Sequence, residues 1–341
     1  MALTPSVFFS TSHDPYVNLA AEEWLFRHLE PGHAVLFFCR NLPTVMIGRN
    51  QNPWLECDVE ALPALRVRLA RRMSGGGAVY HDLGNLNFSF ILPRTAAELD
   101  TVPKFVAQAL TQLGIRPVVT ARRALEVGGR KISGTAFWLT SHTLLYHGTL
   151  LLAADLENMA RCLYVHTPGV ETHAVTSVRS PAINIRDLLP GITPEQALTA
   201  ISGALSVICA APAPPPEDLP TAGMSADQEF RESCAAHAGW DWCFGRTPLF
   251  TVRLGAGVVP ELCTASFSVQ DGKIADTEIT VAPAYGDAAA ALRQALHGRP
   301  FGATHVAQAV AALARTRPDC AAELHHLAHW FRAGLRSAPP P

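Results

Sequence analysis

The stretch Arg71-Arg-Met-Ser-Gly-Gly-Gly-Ala-Val-Tyr-His-Asp-Leu-Gly-Asn85 carries the strongest signal in the sequence, because three consecutive glycines follow a pair of arginines. Glycine tolerates positive φ and exposes backbone N–H groups, while arginine adds charge and bidentate donors, so this composition suits the binding of an anion. A Gly-rich hairpin turn that leads into a strand is the alternative interpretation. The segment contains neither GxxxxGK[ST] nor GxGxxG, which excludes a P-loop and a dinucleotide-binding turn here.

Hydrophobic patterning on both sides of this segment predicts a mixture of strands and helices. The residues at 17–29 have helical spacing, and the short β-rich runs at 34–39 and 44–48 predict a pair of strands. The run at 86–92 alternates aromatic with polar residues, which predicts a half-buried strand. Further strands are predicted at 66–72, 78–80 and 144–152, and further helices at 104–113, at 155–163 and from Thr193 onwards.

Two shorter motifs follow the glycine segment along the chain. Gly128-Gly-Arg-Lys-Ile-Ser-Gly-Thr135 contains a turn that leads into a strand-like run, and Tyr146-His-Gly-Thr149 begins an apolar run. The chain has 27 Lys and Arg residues, of which only Lys104, Lys131 and Lys273 are lysines. A lysine in such an arginine-rich chain indicates a position where a compact ammonium is needed.

Length and composition bound the class of protein. A chain of 341 residues with 48% hydrophobic and 16% charged residues has material for a large core, and we expect two domains, at 1–246 and 248–336. The net charge of -2 argues against nucleic-acid binding by bulk attraction. There is no long apolar run, no basic leader and no CxxC pair among the eight cysteines, so we expect no membrane span and a cytoplasmic protein. The mitochondrial matrix is the alternative compartment.

The three motifs, in this order and at these separations, resemble the lipoate–protein ligase A and lipoyltransferase family. Trp240-Asp-Trp242 and Phe244-Gly245 resemble the lead-in to the accessory domain of full-length members. The catalytic part of the resemblance extends over Asp14-Pro-Tyr-Val-Asn-Leu-Ala20, Val45-Met-Ile-Gly-Arg49, Gln51-Asn-Pro-Trp54, Leu69 to Asn85, Lys131-Ile-Ser-Gly134, His147-Gly-Thr-Leu-Leu151, Thr176-Ser-Val-Arg-Ser180 and Leu188-Leu-Pro-Gly191.

This resemblance implies an α+β fold of the biotin/lipoate ligase (class II synthetase-like) type. A mixed sheet is flanked by helices, and a small α+β accessory domain follows at the C-terminus. It also implies a lipoate–protein ligase that forms lipoyl-AMP from lipoate and ATP, with Mg²⁺, and then modifies a lysine of a lipoyl domain. The implied partners are the E2 subunits of 2-oxoacid dehydrogenases and the glycine cleavage H protein, and we expect a monomer.

The site residues are carried over position by position. Lys131 matches the catalytic lysine that contacts the acyl oxygen and the α-phosphate, and Arg72 matches a phosphate-binding arginine. The implied residues for ATP and lipoyl-AMP are Arg72, Gly75, Gly76, Gly77, Ala78, Val79, Tyr80, Arg122, Lys131 and Thr149, and those for the lipoate pocket are Cys39, His81, His147 and Gly148. Ser74, His81 and Asp82 lie on one short segment, where strand alternation separates their side chains, so no nucleophile triad is expected there. Catalysis by positioning and electrostatics is expected instead.

Two departures from the family pattern leave alternatives open. Members usually carry an Asn-Asp-Leu run about ten residues before the lysine, whereas this chain has Arg122-Arg-Ala-Leu125. Loss of the amide and the carboxylate favours a lipoyltransferase that uses preformed lipoyl-AMP, although an extra arginine also neutralises phosphate. Cys39 replaces an aromatic residue, which predicts a wider acyl pocket. A non-catalytic protein that binds lipoate or a lipoyl domain is the remaining alternative.

Overall fold

The computed structural model of the chain describes residues 3–163, 169–219, 224, 226–255 and 263–335. Contacts between Cα atoms group the chain into two compact units. The first comprises 1–49, 67–160 and 177–239, and the second comprises 50–66, 161–176 and 240–341. These units are defined by contacts, whereas the predicted domains at 1–246 and 248–336 are segments that would each fold independently. That division into domains stays a prediction.

Among the described residues, the first unit contains most of the strands and five complete helices. Its strands are β1 (Thr4–Ser10), β2 (His33–Cys39), β3 (Thr44–Ile47), β4 (Arg68–Arg71), β5 (Val79–His81), β6 (Asn85–Pro93), β7 (Val118–Val119), β8 (Leu125–Val127), β9 (Arg130–Ser133), β10 (Thr135–Leu139), β11 (Thr143–Leu151) and β13 (Glu217–Leu219). Its helices are α1 (Pro15–Arg27), α3 (Val102–Gln112), α5 (Ile185–Leu188), α6 (Pro194–Cys209) and α7 (Gln228–Ala238), while the boundary at residue 160 falls inside α4 (Leu156–Leu163). No helix within the described ranges has the length and apolar character that a membrane crossing requires.

A six-stranded mixed sheet, in the order β10-β11-β6-β2-β1-β13, forms the centre of the first unit. β1 runs parallel to β2 and β13, and the other neighbours are antiparallel. One face packs on α3 and α6 through apolar side chains such as Phe88, Val106 and Ile201. The opposite face packs on α1 and α7 through residues such as Phe26 and Phe230. Helices on both faces of a mixed sheet confirm the α+β class.

Two predictions about this sheet are wrong. The runs at 34–39 and 44–48 do not pair with each other, because β1 and β6 occupy both edges of β2. β3 joins a separate three-stranded sheet, parallel to β4 and antiparallel to β5. β6 is buried on both faces rather than half-buried, since its polar residues Asn87 and Ser89 lie under other parts of the same unit.

The second unit is also α+β. Its strands β12 (Val170–Thr172), β14 (Phe250–Leu254), β15 (Cys263–Gln270) and β16 (Lys273–Val281) form one antiparallel sheet in that order. Its helices are α2 (Pro53–Glu56), α8 (Trp240–Cys243), α9 (Gly286–Leu296), α10 (Ala303–Thr316) and α11 (Ala321–Leu335). Trp54 joins this core against Phe244, Phe250 and Phe301, at ring-centroid distances of 5.4 Å, which explains why residues 50–66 belong to it.

Candidate active site

The buried Arg72 side chain holds the glycine loop in shape. Arg72 follows β4, and its Nε donates to Ser74 Oγ at 3.0 Å. Its NH2 group donates to the carbonyl oxygens of Gly75 at 2.6 Å and Gly77 at 2.7 Å, and its NH1 group donates to the carbonyl of Met46 at 3.1 Å. The guanidinium therefore ties the loop to β3, and its contact with a phosphate stays a prediction.

These bonds orient the N–H groups of the loop. In a trans peptide the C=O and the following N–H point in opposite directions. The carbonyl of Ser74 accepts from the Arg49 N–H at 2.8 Å, so the N–H of Gly75 points the other way. The same argument turns the N–H of Gly76, where φ is +85°, away from Arg72. Neither N–H has a hydrogen-bond partner within the described chain, so both are available donors for an anion.

Lys131 is fixed through its backbone. It lies on β9 opposite Glu126 of β8, and on its other side its N–H donates to the carbonyl of Pro181 at 2.7 Å, while its carbonyl accepts from Ile183 at 3.0 Å. Its side chain folds back over Gly134, where a Cβ atom would lie 2.9 Å from the Lys131 ammonium nitrogen. Burial first, and then the positive charge of Arg72, lower the pKa of Lys131.

Thr149 and the glycine loop meet beside this lysine. Thr149 Oγ1 accepts from the N–H of Gly134 at 3.1 Å. A Cβ atom on Gly76 would lie 3.4 Å from the Cβ of Ala136, two residues beyond Gly134. The structure therefore brings together three sequence motifs that are separated along the chain: the glycine loop, the Lys131 strand and the Thr149 strand.

A buried network that the sequence did not predict lies beneath the loop. Ser74 Oγ is 2.6 Å from His147 Nε2, and His147 Nδ1 is 2.9 Å from Glu22 Oε1. Ser89 Oγ donates to the same carboxylate oxygen at 2.5 Å. Burial alone would raise the pKa of Glu22, but the charge and the hydrogen bond of His147 outweigh it and lower the pKa. Ser74 and Glu22 were missed because their partner, His147, is remote in sequence.

His81 and Cys39 lie next to this network. Burial and the positive charge of Arg72 lower the pKa of His81 to about 3, so its ring is neutral at physiological pH. Asn41 Nδ2 lies 3.0 Å from His81 Nδ1, which makes Nδ1 the acceptor and leaves the proton on Nε2. Nε2 is buried and has no partner among the described residues. Burial raises the pKa of the Cys39 thiol, which therefore stays protonated.

The other predicted residues occupy different surroundings. Tyr80 is 2% exposed, and its hydroxyl accepts from Asn158 Nδ2 at 2.8 Å. Ala78 donates its N–H to Ser177 Oγ at 2.7 Å, which closes the loop, and the adjacent Val79 begins β5. Gly148 faces the aromatic ring of Phe88 on the side of the sheet that packs on α3 and α6. Arg122 lies on an exposed turn, and no hydrogen bond or ion pair joins it to another predicted site residue in the described part of the chain.

Helix α1 carries a second, partly buried carboxylate beside Glu22. Glu23 Oε2 is 3.0 Å from His237 Nε2 and accepts from Ser233 Oγ at 3.0 Å, so it joins α1 to α7. Burial would raise the pKa of Glu23, but hydrogen bonds from His237 and Arg27 outweigh it and lower the pKa to about 2. This pair resembles the His147–Glu22 pair chemically but lies on the side of α1 that faces α7.

We expect the Glu23 carboxylate to contribute to acid stability. Its pKa falls from an ordinary 4.5 to about 2 on folding, so its contribution is complete above pH 4.5 and is lost as the pH falls towards 2. In urea unfolding between pH 5 and about 2, Glu23→Gln should flatten the decline of the unfolding free energy. Glu30→Gln, which changes an exposed carboxylate, should leave the decline unchanged. If the unfolding free energy fell equally steeply with decreasing pH in Glu23→Gln and in the wild type, this assignment would be contradicted.

Comparison with known proteins places the chain in a family. The profile of the lipoyl protein ligase A/B catalytic domain matches residues 14–206, which is more than half of the chain. P. falciparum LipL1, solved in complex with lipoate, is 22% identical with a TM-score of 0.62, over 93% of this chain and 99% of that chain. Lipoate-protein ligase A bound with ATP is 22% identical with a TM-score of 0.57, over 71% and 98%.

A third similar structure comes from an archaeal lipoylation system. A bi-partite lipoate protein ligase from Thermoplasma acidophilum, studied with its E2 lipoyl domain, is 20% identical with a TM-score of 0.58, over 71% of this chain and 96% of that chain. At these identities the structural likeness establishes the fold, and the profile match establishes the family. The chain belongs to the lipoyl protein ligase A/B catalytic domain family.

Proposed function

We propose that this protein is a lipoate–protein ligase, which activates lipoate with ATP to lipoyl-AMP and transfers the lipoyl group to a lysine of a lipoyl domain. One observation carries the proposal: the glycine loop, in which the N–H groups of Gly75 and Gly76 have no partner among the described residues, lies against Ala136, two residues beyond the glycine over which the Lys131 ammonium folds. Anion donors next to a compact cation suit an acyl phosphate. The lipoate bound to LipL1 and the ATP bound to lipoate-protein ligase A agree with these two ligands.

The charges of the site suit the activation step. A carboxylate that attacks a polyphosphate meets electrostatic repulsion, which fixed positive charge offsets in the transition state. The Lys131 ammonium supplies that charge between the acyl oxygen and the α-phosphate, and the glycine loop donates to the phosphate oxygens. Arg72 shapes the loop, and its buried charge adds to the positive potential there. Arg122, on its exposed turn, is free to approach a polyphosphate from solvent.

Mg²⁺ accompanies ATP in sites of this kind, held by one or two carboxylates together with substrate phosphates. Within the described residues, no cluster of three His, Cys, Asp or Glu side chains is arranged around a metal position. Glu126, opposite Lys131 on the neighbouring strand, is a carboxylate whose charge acts on that lysine. It fits the single-carboxylate arrangement, and we propose it as the protein ligand of a magnesium ion that arrives with the nucleotide.

We infer that the lipoyl acceptors are the E2 subunits of 2-oxoacid dehydrogenases and the glycine cleavage H protein. The E2 lipoyl domain studied with the Thermoplasma ligase supports the first of these. The apolar and polar lining beneath the loop, which includes Cys39 and the His81 Nε2–H donor, would receive the lipoyl chain. We propose that the protein acts as a monomer in the cytoplasm.

A lipoyltransferase is the second candidate, and the turn before β8 favours it. Arg123 occupies the left-handed region at φ 64°, and its Nε donates to Asp100 Oδ1 at 2.6 Å. The carbonyl of Arg123 accepts from Thr135 Oγ1 at 3.0 Å. This turn therefore contributes no free carboxylate or amide to a metal–pyrophosphate complex, in contrast to the Asn-Asp-Leu run of other members.

Pyrophosphate release separates the two candidates. We expect the purified protein to release pyrophosphate when it is mixed with lipoate, ATP and Mg²⁺, and to release none when lipoate is omitted. Supplied lipoyl-AMP should support labelling of a lipoyl domain in parallel. Labelling from lipoyl-AMP without pyrophosphate release would establish the transferase instead, and failure of both assays would exclude both candidates.

A further inference from the structure

We propose that Ser74, His147 and Glu22 form a proton relay that deprotonates the acceptor lysine during the transfer step. This inference rests on the proposed function. It assigns the part of the reaction that Lys131 and the glycine loop leave open, which is the removal of the proton from the attacking amine. The relay connects the loop to α1 through β11, three elements that are far apart in the sequence.

The transfer chemistry needs a base. A lysine side chain is an ammonium ion at neutral pH, with an ordinary pKa near 10.4. It has no lone pair until it loses a proton, and the nitrogen sheds a second proton when it bonds to the acyl carbon. The bond between that carbon and the phosphate oxygen breaks, and AMP leaves as a phosphate anion that needs no proton. The site must therefore remove protons from nitrogen without protonating the leaving group.

Hydrogen bonding orients the relay for this task. Glu22 is ionised, so it accepts the Nδ1 proton of His147 at 2.9 Å, and the relay uses the form of this ring that has no proton on Nε2. Nε2 of that ring is then an acceptor, and the Ser74 hydroxyl donates to it at 2.6 Å. This is the arrangement of a base that is oriented by a third group. The Arg72 Nε–H donates to Ser74 Oγ at 3.0 Å, which stabilises negative charge developing on that oxygen.

The relay lies next to the proposed reaction centre. His147 and Thr149 occupy alternate positions of β11, so their side chains share one face and are separated by about 7 Å along the strand. Thr149 contacts Gly134, over which Lys131 folds. Ser74 directly precedes Gly75, whose N–H we assign to the phosphate. Ser74 is 1% exposed, so bulk water does not compete for its hydroxyl.

The neighbouring titratable groups are less suited to accept the proton. Arg72 and Lys131 supply positive charge in the proposed function. His81, whose pKa is about 3, is too weak a base. The Cys39 thiol, whose pKa burial raises, stays protonated and neutral. Glu22 alone is a weak base because its pKa is lowered, and His237 acts on it only at a distance. Among the groups named here, only His147 places an imidazole ring between a hydroxyl and a carboxylate.

The proton balance closes without a covalent intermediate. One ammonium proton of the lysine passes to Ser74 Oγ while the hydroxyl proton of Ser74 passes to His147 Nε2, and the lone pair that this frees bonds to the acyl carbon. The second proton becomes acidic once the nitrogen is bonded to that carbon, and it passes to water as the bond to the phosphate oxygen breaks. The imidazolium is held by the Glu22 carboxylate until AMP and the modified domain leave, after which the proton returns to solvent. Ser74 changes its proton but forms no bond to carbon.

The test is single-turnover transfer from synthetic lipoyl-AMP, with the enzyme in excess, to a purified lipoyl domain. We expect His147→Gln to slow transfer about 10²–10³-fold, the usual contribution of general base catalysis. Its affinity for lipoyl-AMP should stay within about threefold of the wild type. The wild-type rate should rise with pH and level off, whereas the rate of the variant should continue to rise as the acceptor lysine itself deprotonates. Glu22→Gln and Ser74→Ala should show smaller losses in the same direction.

Hydroxylamine distinguishes proton transfer from positioning. This nucleophile is unprotonated at neutral pH, so it should capture the acyl group of enzyme-bound lipoyl-AMP at similar rates in the wild type and in His147→Gln. His237→Gln is the matched control, because it removes the other buried imidazole that is bound to a glutamate of α1, and it should leave transfer unchanged. If His147→Gln slowed the reaction with hydroxylamine as much as the reaction with lysine, the relay would be overturned. Detection of an acyl-Ser74 adduct by mass spectrometry would also overturn it.

The wild-type reaction distinguishes failure of the proposed function from failure of the relay. If wild-type protein bound lipoyl-AMP but did not transfer its acyl group to any lipoyl domain, the proposed function would be wrong. If the wild type transfers the group and His147→Gln transfers it equally fast, only the relay is wrong. The two failures are therefore separated by the wild-type reaction alone.

Discussion

Lys131→Arg should reduce both activation of lipoate and transfer from lipoyl-AMP by about 10²–10³-fold, although the positive charge is kept. The Lys131 ammonium folds over Gly134, only 2.9 Å from where a Cβ atom would lie, and Thr149 Oγ1 is 3.7 Å from the same position. The planar guanidinium is wider than an ammonium and spreads its charge, so it does not fit this position. Steady-state kinetics of pyrophosphate release and of domain labelling measure the two half-reactions.

Two further variants complete this test. Lys131→Ala should lose activity to at least the same extent, because both the charge and the donor are absent. Lys104→Arg is the matched control, since Lys104 is exposed on α3, and it should keep full activity. Thermal unfolding should show that all three variants are folded. If Lys131→Arg reacted at a rate close to that of the wild type, Lys131 would supply only positive charge to the site. The close contact of its ammonium with the acyl oxygen and the α-phosphate, which we assign, would then be wrong.

Gly48→Ala should both destabilise the protein and inactivate it. A Cβ atom at Gly48 would lie 2.3 Å from the carbonyl oxygen of Gly76 and 3.1 Å from the backbone of Gly75, which are not the flexible ends of side chains. The loop must therefore move. We expect a loss of about 1–3 kcal/mol in unfolding free energy from overpacking. Displacement of the anion donors by about 1 Å should slow activation about 10²-fold.

Gly203→Ala provides the matched control for this change. Gly203 lies on the exposed face of α6, and an added Cβ atom would meet nothing within 4 Å. Alanine there should raise the unfolding free energy by about 0.5–1 kcal/mol, because glycine is costly inside a helix. Urea unfolding and pyrophosphate release of both variants test the pair. Normal activity in Gly48→Ala would show that the shape of the loop is not required for the reaction.

Local features of the sequence predicted much of the fold. The helix at 17–29 is α1, the helix at 155–163 is α4, and the apolar run at 144–152 is β11. These predictions succeed because helix and strand periodicity depend on neighbours along the chain. The expected pairing of 34–39 with 44–48 failed because pairing depends on what else reaches the edges of a strand. Here β1 and β6, from either side in the sequence, occupy those edges.

Some features of the candidate site were also predicted from the sequence, and others were visible only in the structure. Three consecutive glycines indicated an anion-binding loop, and an isolated lysine indicated a specific cation. Family resemblance assigned Arg72 to a phosphate, which stays a prediction, and the structure adds that its guanidinium binds the carbonyl oxygens of Gly75 and Gly77. No pattern in the sequence marks Glu22 as a partner of His147, since the two are separated by 125 residues.

By itself, the sequence determined the chemistry that is available: backbone donors at Gly75 and Gly76, a rare ammonium at Lys131, and the helices and strands that carry them. These properties belong to residue types and to short spacings, which need no knowledge of the rest of the chain. Tertiary structure alone decided which groups touch. It folded Lys131 over Gly134, turned Arg72 inward to orient the loop, and placed Glu22 behind His147 and Ser74. Hydrogen bonds act over about 3 Å, so only the folded chain could bring these groups together.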